Sequence, residues 1–281
     1  MFSILMANYN NGKYLEIAIK SVLLQTYQDY EIVIVDDCST DNSKIICEKY
    51  KNDSRFTIEI STENKGCGAA KRRCVELAKG ELCAFLDSDD ALVPNALEDM
   101  VQAHSENPDA SLVSSCYYKC DENLKIMYPR KFKPECKDFL YTNDIDLHFA
   151  SFKRELYFKT SGIDAEFKRA VDQDLYLKLN EVGDFVYIRK YHYYYRIHEN
   201  GISALLNKNS DKAFQWFVLA KYNACKRQNL DFDEINLPHP ELSIGLVRYV
   251  LKIRSFLRKL YICLCQFLGF YKKYELNRKM Y

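Results

Sequence analysis

The chain has 281 residues, long enough to bury a full core as one large α/β domain or as a domain with an appendage. Forty basic residues against thirty-nine acidic ones leave a net charge of +1, which argues against a nucleic-acid partner, because such proteins carry a basic footprint. Eleven cysteines, odd in number and with no CxxC spacing, argue against both a disulfide framework and a zinc site and point to a reducing cytoplasm.

Met1 to Ala7 is too short, and too uncharged ahead of its apolar run, to act as a secretory signal. No stretch reaches the roughly eighteen uninterrupted apolar residues that a membrane span needs. Twenty-two tyrosines and sixteen phenylalanines suit a sugar-binding cleft and an ordinary core equally well.

In chain order, Phe2 to Ala7 reads as a strand that ends in the turn-rich Asn8-Tyr9-Asn10-Asn11-Gly12. Leu15, Ala18, Ile19, Val22 and Leu23 then fall on one helical face. Glu31 to Val35 is a second apolar strand, closed by Asp36-Asp37-Cys38-Ser39, and Thr40-Asp41-Asn42 opens the next helix with capping chemistry. A third strand, Phe56 to Ile60, leads through Glu63-Asn64-Lys65-Gly66 into a helix from about Ala69 to Lys79. Leu82 to Leu86 is a fourth strand, and it runs into Asp87-Ser88-Asp89-Asp90.

Strands and helices in strict alternation, with continuous rather than alternating apolar strands, predict a parallel sheet covered on both faces. Two of those strands end in carboxylates. Parallel strands bring both clusters to one edge of the sheet, where open α/β folds bind ligands. A tight group of oxygen ligands there suits Mg²⁺ or Mn²⁺ on phosphates.

Farther on, a helix is expected from Pro94 to about His104, a strand over Ser111 to Tyr118 and a turn at Asp121-Glu122-Asn123. Lys125 to Asp146 is polar and is a candidate for a mobile active-site loop. Phe152 to Thr160 reads as helical, and a second helix follows Asp172-Gln173-Asp174. Phe185 to Ile188 and Tyr191 to Arg196 read as strands, followed by a polar loop through His198 to Ser203. Between Gly245 and Gly269, Leu246, Val250, Ile253, Leu257, Leu260, Leu264 and Leu268 share one helical face, with Arg248, Lys252, Arg258 and Lys259 off it. Such a helix lies on a membrane surface or packs on its own domain or a second subunit, and both readings stay open.

These segments, in this order, resemble the inverting GT-A glycosyltransferases of family 2. The resemblance runs from Phe2 to about Ser203 through Val33-Ile34-Val35-Asp36-Asp37, Glu63-Asn64-Lys65-Gly66, Phe85-Leu86-Asp87-Ser88-Asp89-Asp90, Gly162-Ile163-Asp164, Asp172-Gln173-Asp174-Leu175 and Tyr195-Arg196-Ile197-His198. It implies a GT-A domain over 1–205, with a nucleotide-sugar half at 1–118 and an acceptor half at 119–205, and a helical region over 206–281. The implied reaction is metal-dependent, inverting transfer of a sugar from a nucleotide sugar, most simply a UDP-sugar, to a saccharide or lipid-linked saccharide in surface polysaccharide or glycolipid synthesis. The implied setting is the cytoplasm or the inner face of the cell membrane.

By the same resemblance Asp89 holds Mn²⁺ or Mg²⁺, with His198 completing the metal shell. Asp87 and Ser88 face the donor, and Asp36 and Asp37 bind ribose and base. Ala7, Tyr9 and Asn10 form the floor and rim of the nucleotide pocket, Arg72 reaches the nucleotide, and Asp172 is the catalytic base. This chain departs from the family in two places: Lys71-Arg72-Arg73 stands where arginine followed by asparagine is usual, and Val171 replaces an acidic residue before Asp172. A sugar-nucleotide binding protein without catalysis, and a nucleotidyltransferase, are the alternative readings.

Overall fold

A computed structural model describes residues 1–131, 139–142, 145–199, 201, 210–232 and 237. Strand β1 (Phe2–Asn8) leads through helix α1 (Gly12–Leu23) to β2 (Tyr30–Asp36), and α2 (Ser43–Glu48) leads to β3 (Phe56–Ile60). Helix α3 (Cys67–Leu77) precedes β4 (Leu82–Phe85), and the short β5 (Ala91–Leu92) precedes α4 (Ala96–Glu106). The later half holds β6 (Ala110–Cys120), β7 (Ile126–Arg130), β8 (Ala150–Lys153), α5 (Arg154–Tyr157), α6 (Val171–Asn180), β9 (Asp184–Arg196) and α7 (Ser210–Gln228).

Among the described residues these strands form one sheet in the order β3-β2-β1-β4-β8-β6-β9-β5, with β7 added on β6. Strands β1 to β4 pair in parallel, as the alternation predicts. Strand β8 enters between β4 and β6 and is antiparallel to both.

The continuous apolar strands have a simple cause. Successive side chains point to opposite faces of a sheet, and both faces are covered. Leu5, Val33 and Val35 enter a core shared with α3, α6 and α7, while Ile4, Met6, Ile32 and Ile34 enter a second core with α1 and α4.

Three expectations are corrected. Phe152 lies in a strand, and only Arg154–Tyr157 of the expected helix at 152–160 is α-helical. The spacing of Phe152, Leu156 and Tyr157 mimics a helical face, but pairing with β4 and β6 takes the first part of the segment into the sheet. The two strands expected over 185–196 are one, bent by register shifts against β6. The candidate loop at 125–146 begins as an exposed strand, β7, hairpinned to β6, and its residues 132–138 and 143–144 lie outside those described. The amphipathic stretch at 245–269 also lies outside them. No helix among the described residues is long and apolar enough to cross a membrane.

One buried group predicts the acid response of the fold. His104 on α4 is 5% exposed, its Nε2 lies 3.1 Å from Ser151 Oγ, and its Nδ1 has no partner. Burial, reinforced by the nearby Lys153 charge, pulls its pKa down to about 4. The unfolded imidazole titrates near ~6.5. Acidification below that value therefore protonates the unfolded chain first, and stability present above it is lost as pH falls toward 4. At pH 5 this group alone removes about 2 kcal/mol. Urea unfolding at pH 7 and pH 5 is expected to show a loss about 2 kcal/mol smaller in His104→Gln than in the wild type, since buried His192 acts in the same sense in both; an equal loss in both would locate the acid sensitivity elsewhere.

Candidate active site

The carboxylate-bearing ends of β2 and β4 lie on the same edge of the parallel half of the sheet, separated by β1. At the end of β2, Asp36 is fully buried and accepts from Asn8 Nδ2 at 2.7 Å and from the Ser39 backbone at 2.8 Å. Asp37 accepts the backbone N–H groups of Lys65 and Gly66, at 2.8 and 2.7 Å. It thereby ties the Asn64-Lys65-Gly66 loop to the strand end, and Gly66, with φ of 91°, supplies the left-handed turn this needs. Each Asp37 oxygen keeps a further lone pair for a ligand.

The rim of this region is built from the β1–α1 turn. Asn10, left-handed at φ 53°, accepts from the Thr40 backbone at 2.8 Å, and its own N–H donates to Ser39 Oγ at 2.8 Å. Ala7 is half-buried beside it and Tyr9 is exposed. Ser88 is buried and accepts from Asn11 Nδ2 at 3.1 Å, which joins this rim to the Asp87–Asp90 segment.

Within that segment each aspartate has a different environment. Asp89 Oδ2 lies 2.9 Å from His198 Nε2. Arg196 passes beneath, its Nε donating to the Asp89 carbonyl and its Nη1 to the Glu122 carbonyl. Its guanidinium sits 4.5 Å from the centre of the Tyr14 ring. Arg196 is 4% exposed, and its Nη2 has no hydrogen-bond partner. A buried, unsatisfied cation beside a carboxylate–imidazole pair is suited to an anionic ligand.

Asp90 is a structural residue. Its carboxyl accepts from the Tyr193 hydroxyl and the Arg196 backbone, each at 2.7 Å, and so pins β9 over the end of β4. Burial, with the neighbouring Asp89 and Asp87 charges, pushes its pKa well above the carboxylate range.

Asp87 faces the other way, toward α3 and α6. Lys71 Nζ stands between Asp87 Oδ1, at 3.2 Å, and both oxygens of Asp172, at 2.7 and 2.8 Å. Burial opposes the ammonium charge, but the two carboxylates outweigh it and hold the pKa of Lys71 well above its ordinary value. Burial likewise opposes ionisation of Asp87, yet Lys71 and His148 keep its pKa below normal.

Two local features bring Asp172 to this place. Gly68 on α3 lets the 164–167 turn pack directly on the helix, since a Cβ there would lie 2.7 Å from the Phe167 carbonyl. Ala170, left-handed at φ 55°, then caps α6 and places Val171 and Asp172 in its first turn.

Lys71, Asp87 and Asp172 line a small open pocket. His148, Phe149, Tyr176 and Tyr193 line it as well. His148 packs against Tyr117 and Tyr195 at ring-centre distances of 4.7 and 4.8 Å.

The structure therefore joins Asp87 to Asp172 and Asp89 to His198, but it does not bring Arg72 to them. Arg72 is on the outer face of α3, 54% exposed, and pairs with Glu76. The inner face carries Lys71, Cys74, Val75 and Ala78 at helical spacing, and that stripe was the signal that Lys71, not Arg72, is the inward cation. Nothing local marked His148, which reaches the pocket just ahead of β8, a strand held by non-local pairing.

Asp89 and His198 are the residues here that could hold a divalent cation. Among the described residues no group of three His, Cys, Asp or Glu side chains converges. Asp89 and His198 would supply an oxygen and a nitrogen, leaving the other positions to phosphate and water, as is usual for metals that accompany phosphates.

Comparison with known proteins agrees with this architecture. E. coli chondroitin synthase is 35% identical over 209 residues, 72% of this chain and 30% of that protein. Chondroitin synthase of Pasteurella multocida is 31% identical over 243 residues, 84% of this chain and 25% of that protein. The chain thus spans less than a third of the length of either. Among solved structures, residues 1–349 of S. aureus TarS in complex with UDP-GlcNAc superpose with a TM-score of 0.64 at 24% identity, covering 83% of this chain and 69% of that fragment. The mannosyltransferase PcManGT of Pyrobaculum calidifontis, in complex with GDP-Man and Mn²⁺, gives a TM-score of 0.59 at 17% identity over 99% of this chain and 83% of that one. At such identities the likeness speaks for the fold, which is GT-A. The family model described as Glycosyl transferase family 2 matches residues 3–162, more than half of the sequence, and the chain belongs to that family: it is a glycosyltransferase.

Proposed function

We propose that this protein transfers a sugar, with inversion, from a UDP-sugar to a saccharide or lipid-linked saccharide acceptor during polysaccharide or glycolipid synthesis. The observation that carries the reading is the pair of neighbouring clusters, Asp89 with His198 and Asp87 with Lys71 and Asp172, on the strand edge where such folds bind ligands. The names of the chondroitin synthase relatives support polymer synthesis, and the UDP-GlcNAc bound to TarS supports a UDP donor.

In this reading Asp36 and Asp37, with Ala7, Tyr9 and Asn10, hold the nucleoside. Arg196 turns its unpaired Nη2 to the diphosphate. Asp89 and His198 hold a divalent ion, which when bound supplies Lewis-acid stabilisation of the leaving diphosphate. Ser88 and Asp87 border the donor sugar, and Asp172 takes the proton from the acceptor hydroxyl as it attacks from the opposite face.

The test is a panel of UDP-glucose, UDP-galactose, UDP-N-acetylglucosamine, UDP-glucuronic acid and GDP-mannose, each with Mn²⁺ or with EDTA. Nucleoside diphosphate release and melting temperature are read together. At least one UDP-sugar is expected to release UDP only with the metal, and UDP at about 100 times its Kd should raise the melting temperature by roughly 5 °C. UDP binding without turnover of any donor would favour a binding protein. Consumption of a nucleoside triphosphate with pyrophosphate release would favour a nucleotidyltransferase.

A further inference from the structure

Lys71 belongs to none of the acidic motifs, yet it is the cation in the pocket wall between Asp87 and Asp172. It is 4% exposed and lies 4.9 Å from the centre of the Phe85 ring. An ammonium has three N–H donors and no acceptor. Here three carboxylate oxygens stand within reach of it, two from Asp172 and one from Asp87. The donors are fully used, and a charged ammonium cannot itself take a proton. Any part it plays in the chemistry must pass through the carboxylates it grips.

We propose that Lys71 is a positioning residue that fixes the Asp172 carboxylate against the sheet edge, with Asp87 as its anchor. The inference rests on the reading of Asp172 as the base. Asp87 follows directly on β4 and Leu86, at the centre of the sheet, whereas Asp172 opens a helix behind the left-handed Ala170. Lys71, rising from a third element, links the two. Gripping both Asp172 oxygens sets the plane of the carboxylate and leaves each oxygen a lone pair for an acceptor hydroxyl. Without the ammonium, two carboxylates would share the pocket wall with no cation between them, and Asp172 would be free to turn.

The experiment compares wild type, Lys71→Met, Asp172→Asn and the double variant. UDP binding is measured by calorimetry, and turnover of UDP-N-acetylglucosamine, or of the panel donor that turns over fastest, by UDP release. Lys71→Met is expected to lower kcat about 10²-fold with the Kd for UDP within about threefold, and to cost less than about threefold more in the Asp172→Asn background, because residues that act as a unit are not additive. A kcat for Lys71→Met within threefold of wild type would overturn the proposal. So would an equal loss in both backgrounds, or a loss confined to donor binding with kcat unchanged.

Should Lys71→Met not fold, Lys71→Met/Asp87→Asn is read against Asp87→Asn by the same criteria, since the unpaired anchor charge is then gone as well. The two readings fail separately. Wild-type turnover by Asp172→Asn would remove the base assignment and this proposal with it, whereas an inactive Asp172→Asn beside a fully active Lys71→Met would remove this proposal alone.

Discussion

Asp172→Asn is expected to lower sugar transfer by about 10³-fold or more while leaving UDP affinity within about threefold of wild type. An acceptor hydroxyl attacking with inversion must lose its proton on the face away from the leaving diphosphate, and Asp172 is the pocket carboxylate carried by α6 rather than by a strand end. The amide keeps the size of the carboxylate but cannot take the proton. It also breaks the grip of Lys71, which then has only Asp87 to balance its charge. The nucleotide region at Asp36 and Asp37 is built from β2, the β1–α1 turn and the 64–66 loop, with no contribution from α6, so UDP binding should not follow the loss of turnover. Parallel loss of both, with an unchanged melting temperature, would mean that Asp172 contacts the donor rather than the acceptor. Full activity in Asp172→Asn would remove it from the chemistry.

The legible part of this molecule is the part that local sequence places without help from distant partners. Asp36, Asp37, Asp87 and Asp89 stood out because carboxylates at the ends of apolar strands have no packing reason to be there. The parallel half of the sheet was equally legible, since strand and helix alternate within short distances along the chain. Strand β8 was hidden because its place between β4 and β6 is decided by partners some seventy and forty residues earlier, and four residues of strand leave little periodicity to read. His148 shares that cause. Lys71 was obscured differently: within Lys71-Arg72-Arg73 a buried cation sits beside two solvated ones, and only the stripe it shares with Cys74, Val75 and Ala78 separates it from them.

The two aspartates that end the Asp87–Asp90 run show how little a motif says about individual roles. Asp90 is buried and spends its carboxyl on Tyr193 and the Arg196 backbone, so it holds β9 in place, while Asp89, next to it, keeps an oxygen directed at His198. Substitution should separate them by what is lost. At Asp90 the expected loss is in the fold. At Asp89 it should be in the chemistry.

Asp89→Asn is accordingly expected to keep the wild-type melting temperature within about 3 °C, since it is partly exposed and none of the backbone ties of Asp90 depend on it. UDP release from the preferred donor should fall by about 10³-fold, the several kcal/mol that a metal contributes to a leaving diphosphate. A second readout tests the site independently of turnover: Mn²⁺ should enhance UDP stabilisation of the wild type and should no longer do so in Asp89→Asn. His198→Ala should lose less, about 10-fold to 10²-fold, because Asp89 and the diphosphate oxygens would still hold the ion. If Mn²⁺ enhanced the UDP-dependent melting shift equally in wild type and Asp89→Asn, the metal would have to be held elsewhere, and the Asp89–His198 pair would become a structural contact that fastens the Arg196–His198 segment over the pocket.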